Sequence, residues 1–308
     1  MSMFPPPVDL LRRASPSLEG LLEQACRGAA SDAPLLILGE PGTGRTALAR
    51  ALHAASARRD QPLVEVDPGS LPSTLFESEF FGHVSGAFTG AESGLEGRVA
   101  RAEGGSLLLD HIEETPIGAQ PKLLRLLAEH RYAPLGGQDT EADVRFLAIA
   151  SEDLPRRMES GAFRSDLFFR LEVLTLRLPP LRERMSDLPA LLDFFLGDLA
   201  RRFGRDMPRV SGDARAWMDG YSWPGNLRQL RNLLEREVVL STSEIINPAA
   251  PGHTGGRPQS LVEIEKTQIL RALEYARGHQ GRAAEILGIS RKSLWEKRKR
   301  WDLPRSKG

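Results

Sequence analysis

The sequence predicts an α/β fold, a mostly parallel sheet with helices on both faces, followed by an all-helical portion. Two observations carry this. Short apolar runs at 35–38, 63–66, 107–109 and 146–149 alternate with stretches of helical periodicity, the order that builds a parallel sheet. After Pro179-Pro180 the strand pattern stops and the chain reads as helical.

In chain order, residues 1–14 read as a loose leader. Residues 15–30 place Leu18, Leu21, Leu22 and Ala25 at helical spacing and predict an amphipathic helix. The run 35–38 is a short buried strand ending in Gly39, and 46–57, rich in Ala and Leu, predicts the helix after it. The runs 63–66, 107–109 and 146–149 supply three more strands. Residues 247–260 (NPAAPGHTGGRPQS) lack periodicity and read as a flexible linker. Residues 261–301 are helical again, with breaks at 278–281 and at Gly288. The expected organisation is a leader (1–14), a first domain (15–247, its helical lid from about 180), a linker (248–260) and a small helical domain (261–304).

Composition excludes several classes. The chain has 308 residues, 41 basic against 41 acidic, and 41% hydrophobic residues. That is the profile of a folded globular protein, not of a disordered chain or a coiled-coil rod. A single cysteine, Cys26, excludes an intramolecular disulfide and any CxxC metal or redox motif. No apolar run reaches the ~18 residues of a membrane span. The start, with Pro5-Pro6-Pro7, has no apolar core of a secretory signal, so a cytoplasmic location is expected. The neutral total hides an asymmetry. Residues 291–307 hold eight basic residues against two acidic ones, a local charge of +6, which suggests a polyanion partner at that end.

The segment 39–46 (GEPGTGRT) lies between a strand and a helix and matches the phosphate-loop pattern GxxxxGK[ST] at every position but one. Its glycines let backbone N–H groups converge on one concavity, and the helix N-terminus adds positive potential. Gly39, Glu40, Gly42, Thr43, Gly44, Arg45 and Thr46 are therefore the candidate nucleotide-binding residues, with Thr46 offering a hydroxyl to Mg²⁺. Arg45 stands where the pattern has Lys. It keeps the charge on a larger, planar group.

Further motifs follow: FESEFFGH at 76–83, GAFTGA at 86–91, GGSLLLD at 104–110, FRSDLFFR at 163–170, LPPLRER at 178–184 and WPGNLR at 223–228. With the phosphate loop, they make residues 15–303 resemble the AAA+ activators of sigma-54 RNA polymerase. The resemblance implies a phosphate-loop ATPase core with a helical lid, ATP and Mg²⁺ as cofactors, and assembly into a ring, expected to be a hexamer. It implies that Gly86, Ala87, Phe88, Thr89, Gly90 and Ala91 tip a loop that touches sigma-54. Asp110 would join Thr46 in holding Mg²⁺. Arg164 and Arg170 match arginine fingers that reach a neighbouring subunit's nucleotide, and Arg228 matches the sensor arginine of the lid. Because the similarity begins near Ser15, regulation is expected in trans, from a partner or inhibitor.

Departures from the family pattern gather on the hydrolytic machinery. His111 stands where the family has the Glu that polarises the attacking water. Asp67 replaces the Asn that bonds that Glu, and Ser151 replaces the sensor Asn. Gly94 replaces an Arg just beyond the 86–91 motif. Two readings stay open. Asp67 and His111 form a substitute dyad in which the carboxylate orients the imidazole and the imidazole takes a proton from water, or hydrolysis is lost and the chain works in mixed rings with an intact paralogue. A repressor that uses nucleotide only to assemble is the rival from another class.

Residues 263–301 resemble the Fis-type helix-turn-helix that closes these activators. Residues 282–290 (RAAEILGIS) would be its first helix and turn, with Gly288 at the left-handed turn position and Ser290 capping the second helix. Arg291, Lys292 and Ser293 at the start of that helix are candidates for base or phosphate contact. Lys297, Arg298, Lys299 and Arg300 would bind phosphate and make affinity salt-dependent. The implied partners are double-stranded enhancer DNA and sigma-54 RNA polymerase. Trp295 and Trp301 read as core or dimer-packing residues.

Overall fold

The computed structural model describes residues 5–241, 243–249, 269, 272–273, 276 and 279–300. The chain divides into two compact units, Met1–Pro248 and Ala249–Gly308. Among the described residues no helix is long and apolar enough to cross a membrane.

The first unit opens with α1 (Pro6–Ala14) and α2 (Glu19–Ala29), then β1 (Leu35–Gly39), α3 (Arg45–Ala54) and β2 (Leu63–Val66). α4 (Ser73–Phe81) leads into a short antiparallel pair, β3 (Gly82–His83) with β4 (Leu95–Glu96), and α5 (Arg98–Arg101) follows. Next come β5 (Ser106–Leu109), α6 (Gln120–Glu129), a second short pair of β6 (Arg131–Tyr132) with β7 (Thr140–Glu141), and β8 (Arg145–Ala150). α7 (Leu154–Glu159), α8 (Ser165–Leu171) and β9 (Leu174–Leu178) complete the core. The main sheet is five-stranded and parallel throughout, in the order β2-β5-β8-β1-β9.

The period-2 geometry of a strand explains why β1 is apolar at every position. Leu36 and Leu38 face a core shared with Phe76, Phe80, Leu123 and Leu167, while Leu35 and Ile37 face another shared with Leu22, Leu48 and Leu52. A parallel sheet covered on both faces needs this uniformity. The fifth strand, β9, was not among the runs that read as strands. It pairs only with β1, and Thr175 and Arg177 interrupt its leucines.

Two other expectations are corrected. Residues 6–14 are helix α1 rather than a loose leader. Pro sits in its first turn, where a missing N–H costs nothing, Val8 is fully buried, and Asp9 pairs with Arg12 at 3.0 Å and Arg13 at 2.7 Å. The helix expected over 15–30 begins as a single 3₁₀ turn, Pro16–Leu18, before α2.

Three helices form the lid: α9 (Leu188–Phe203), α10 (Gly212–Gly220) and α11 (Asn226–Leu240). They pack around the fully buried Trp223, with Leu188, Leu191, Met218, Leu230 and Leu234. The Trp223 indole N–H donates to Met218 O at 3.1 Å, so this large ring leaves no polar atom unsatisfied.

In the second unit, helices Gln280–Ile286 and Arg291–Arg300 enclose Ala283, Ala284 and Leu294 with Ile269, Ala272, Leu273 and Ala276. Gly281, expected in a break, is helical. Added side-chain bulk at Gly281 would meet the Arg291 guanidinium at 2.6 Å, so the glycine leaves that group its place.

Candidate functional site

The phosphate loop joins β1 to α3, at the carboxyl ends of the sheet strands. Gly42 has φ +81° and Gly44 +109°. A Cβ at Gly42 would lie 2.5 Å from Gly225 O of the lid, so only glycine permits this approach. The carbonyls from Gly39 to Thr43 all accept hydrogen bonds, two from side chains of the loop itself and three from the protein around it. Gly39 O accepts from Arg45 Nη1 at 2.7 Å and Glu40 O from Thr43 Oγ1 at 2.8 Å. Pro41 O accepts from Asn226 Nδ2 at 3.1 Å, Gly42 O from Leu227 N at 2.9 Å and Thr43 O from Arg184 Nη2 at 2.7 Å.

Thr46 and Asp110 meet although 64 positions separate them: Thr46 Oγ1 donates to Asp110 Oδ2 at 3.0 Å. The sheet order accounts for this. β1 and β5 both flank β8, so the loop after one strand and the acid after the other share one crevice. A hydroxyl and a carboxylate are hard oxygen donors of the kind Mg²⁺ takes beside phosphate oxygens and water, so the two residues fit that ion.

Arg45 is turned away from solvent. Only 6% of it is exposed, and Nη1 donates to Gly39 O at 2.7 Å and to Ala150 O at 2.6 Å. Burial pushes its pKa down, against the opposing pull of Asp110 and Glu113. The group expected to reach into the loop is held by backbone carbonyls instead.

His111 follows Asp110 in the left-handed conformation, φ +56°. This turn swings its ring so that Nδ1 lies 3.4 Å from Asp67 Oδ2 and 3.7 Å from Asp110 Oδ1. The ring is thus at ion-pair distance from two carboxylates, and both Asp67 and His111 are open to solvent. Asp67 also caps the turn Pro68–Ser70, its Oδ1 accepting from Gly69 N at 3.0 Å. Ser151 enters through its backbone, its N–H donating to Glu113 Oε1 at 2.9 Å.

The lid closes on the loop through residues whose role the sequence did not reveal. Arg182 forms a bidentate pair with Glu40, at 2.9 and 2.7 Å. Asn226 is fully buried at φ +49° and donates to Glu40 Oε2 at 3.1 Å while accepting from Leu181 N at 2.7 Å. The Arg182 guanidinium, then Asn226, hold the Glu40 carboxyl below its ordinary range. Asn226 and Arg182 lay inside quoted motifs, but nothing local distinguishes them. Arg228, two residues along, is exposed, and its Cβ lies 3.1 Å from where a Cβ on Gly42 would stand.

Residues 84–91 form a protruding loop on β3 and β4. It is closed by Gly86 N to Ala91 O at 2.8 Å and Ala91 N to Phe88 O at 3.0 Å. Phe88 is 44% exposed and leans edge-on against His83, and Thr89 is exposed beside it. Gly86 and Gly90 are also exposed and Ala87 half-buried, whereas Ala91 is buried, so it supports the tip and presents nothing. Arg164 and Arg170 are exposed on and before α8. Arg164 forms a bidentate pair with Asp166 at 3.0 and 2.7 Å, and Arg170 donates to Leu127 O at 3.2 Å and Ala128 O at 3.3 Å.

In the second unit Gly288 takes φ +65°, and Ser290 Oγ accepts from Ser293 N at 3.1 Å, an N-cap on the helix Arg291–Arg300. Arg291 is exposed and Ser293 and Lys297 half-buried. Arg298, expected to bind phosphate, is buried at 8% exposure. Trp295, read as a core or dimer-packing residue, is 53% exposed and so is not in the core. The side chains of Lys292, Lys299 and Arg300, and Trp301 as a whole, lie outside the described residues.

A parallel five-stranded sheet, a phosphate loop paired with an acid on the strand two places away, and a helical lid seated on that loop define an AAA+ module. Comparison with known families places it further. The sigma-54 interaction domain matches residues 11–177, the AAA+ ATPase lid domain residues 182–250, and the Fis family of bacterial regulatory proteins residues 260–301. The chain belongs to the sigma-54 interaction family and is a transcription regulator of that class with a helix-turn-helix DNA-binding module. It is 42% identical over 295 residues to the transcriptional regulatory protein ZraR of Salmonella typhimurium, covering 92% of this chain and 67% of that one. It is 41% identical to the alginate biosynthesis transcriptional regulatory protein AlgB of Pseudomonas aeruginosa, covering 96% of this chain and 68% of that one. Among solved structures it is similar to NtrX of Brucella abortus in complex with ATP, with TM-score 0.72, 30% identity and coverage of 93% and 68%.

Proposed function

We propose that the chain binds ATP in the loop 39–46 and uses it, as an oligomer at enhancer DNA, to remodel the closed complex of sigma-54 RNA polymerase in the cytoplasm. The observation that carries this is the Thr46–Asp110 pair at 3.0 Å, in one module with the exposed Phe88-Thr89 tip. Thr46 and Asp110 would hold Mg²⁺, which when bound offsets charge on the phosphoryl oxygens. Asp67 orients His111, and His111 withdraws a proton from the attacking water. Arg164 and Arg170 act on the nucleotide of a neighbouring copy, so the working form is a ring, a hexamer of this chain or a mixed ring with a paralogue. Phe88 and Thr89 carry the resulting motion to sigma-54.

A second reading, a subunit that binds nucleotide but leaves hydrolysis to an intact paralogue, draws on Arg45, which is bonded to Gly39 O and Ala150 O. The test is transcription from a sigma-54 promoter reconstituted with the purified chain and ATP, for wild type and Thr89→Ala. The main reading expects activity in the wild type, and loss of promoter opening with unchanged nucleotide binding in the variant. Normal transcription by Thr89→Ala would overturn it. Wild-type activity that appears only on adding a paralogue favours the second reading.

A further inference from the structure

The peptide bond between Ala150 and Ser151, at the tip of β8, is held from both sides by charged groups. Its carbonyl accepts from Arg45 Nη1 at 2.6 Å, and its N–H donates to Glu113 Oε1 at 2.9 Å. Arg45 is 6% exposed and Glu113 5%. The other Glu113 oxygen, Oε2, is buried without a hydrogen-bond partner. A carboxylate kept in that condition needs positive charge nearby, and the Arg45 guanidinium is across the same peptide plane. The peptide's own polarity fits the arrangement, with its negative end on the cation and its positive end on the anion.

We propose that Glu113 is a positioning residue that holds Arg45 away from the phosphate loop, and that this pair sets the affinity of the loop for nucleotide. The inference rests on the reading of residues 39–46 as a nucleotide site. The Arg45 guanidinium has two competing destinations. One is the pair of carbonyls, Gly39 O and Ala150 O, reinforced by the Glu113 charge; the other is the phosphate chain of a nucleotide in the loop. The Glu113 carboxylate favours the first, and nucleotide binding must draw Arg45 off the carbonyls. Because Ala150 O and Ser151 N belong to one peptide, release of Arg45 also loosens the backbone at Ser151. Glutamine at 113 would keep an acceptor for Ser151 N, remove the charge and put an amide NH2 in place of Oε2.

The experiment is equilibrium binding of a fluorescent ATP analogue with MgCl₂ to the full chain. The set is wild type, Glu113→Gln, Arg45→Ala, the double variant Arg45→Ala/Glu113→Gln, and Arg45→Lys with and without Glu113→Gln, each checked by thermal melting. The expected result is that Glu113→Gln tightens binding roughly fivefold, within the range of coupled neighbours. Arg45→Ala removes the cation that the phosphates would take and should weaken binding, and it should abolish the gain when combined with Glu113→Gln. Arg45→Lys, whose single ammonium can bond both carbonyls as Nη1 does, should keep a gain from Glu113→Gln like that of the wild type. If the gain persists in Arg45→Ala, Glu113 merely repels phosphate and the proposal falls. If Glu113→Gln binds as the wild type does, it also falls, with the nucleotide site intact. If no member of the set binds the analogue, the reading of the loop fails and the inference fails with it.

Discussion

His111 Nδ1 lies 3.4 Å from Asp67 Oδ2, brought there by a left-handed residue directly after the acid of β5. An imidazole so placed has one nitrogen toward a carboxylate and the other free for a water. The expected outcome is slow intrinsic ATP hydrolysis. His111→Ala should reduce steady-state turnover by about 100-fold or more, the usual contribution of a general base, and Asp67→Asn should reduce it less. Asp67→Asn/His111→Glu, which rebuilds the family-like pair, should restore or exceed the wild-type rate. An inactive wild type with an active double variant would show that the base has been lost rather than replaced.

Arg164 is exposed, and among the described residues its guanidinium is bonded to Asp166 of its own chain. A finger that serves a neighbour should affect turnover and not binding. Arg164→Ala is expected to lose ATPase activity by a factor of about 1000 while its nucleotide affinity stays at the wild-type level. Unchanged turnover removes Arg164 from the site.

Asn226 ties the lid to the loop through Glu40, Pro41 and Leu181. Asn226→Ala leaves Leu181 N and Pro41 O without their partner in a buried place. It should lower stability by about 2–4 kcal/mol, seen as a lower thermal midpoint, and weaken nucleotide binding as the lid separates from the loop.

Arg291 and Arg298 sit on the same helix with different exposures. Arg291→Ala should weaken binding to enhancer DNA and lower the slope of log affinity against log salt by about 1. Arg298→Ala should leave that slope unchanged and lower the melting temperature instead. Equal slopes for wild type and Arg291→Ala would take Arg291 off the DNA.

His53 is buried, its Nδ1 2.9 Å from Ser106 Oγ, and burial pushes its pKa below the ordinary 6.5. Between that lowered value and 6.5 the unfolded chain binds more protons than the folded one. The stability this neutral ring contributes is therefore complete above pH 6.5 and declines as pH falls from 6.5 toward the folded value. Thermal midpoints from pH 8 to pH 5 should fall further for the wild type than for His53→Gln. Parallel curves would show that His53 does not titrate on unfolding.

What was legible in the sequence follows from how local each signal is. The loop 39–46, the acid after the third apolar run and the Ser290 cap are short-range patterns, and each stands where it was expected. The Thr46–Asp110 and Asp67–His111 encounters join distant parts of the chain, and only the residue roles implied by the family resemblance pointed to them. The inward pose of Arg45 was not legible, because it depends on a carbonyl 105 positions away. Helix α1 was hidden by its prolines, which read as a leader although Pro suits a first helical turn. Arg298 was misjudged because a run of basic residues gives no indication of which one faces inward.

The phosphate loop also defines what it will reject. From Gly39 through Thr43 each carbonyl is bound by Arg45, Thr43, Asn226, Leu227 or Arg184. A peptide plane whose oxygen is anchored outward turns its N–H the opposite way. The planes that follow Gly39, Pro41 and Thr43 thus present the N–H groups of Glu40, Gly42 and Gly44 as donors, while a cation finds its oxygens beside them, on Thr46 and Asp110. Preference for anions is built into the main chain, and Arg45 contributes by anchoring the Gly39 carbonyl. The anchors from Asn226, Leu227 and Arg184 do not involve position 45, so the chain can depart from the usual lysine and keep a receptor for phosphate.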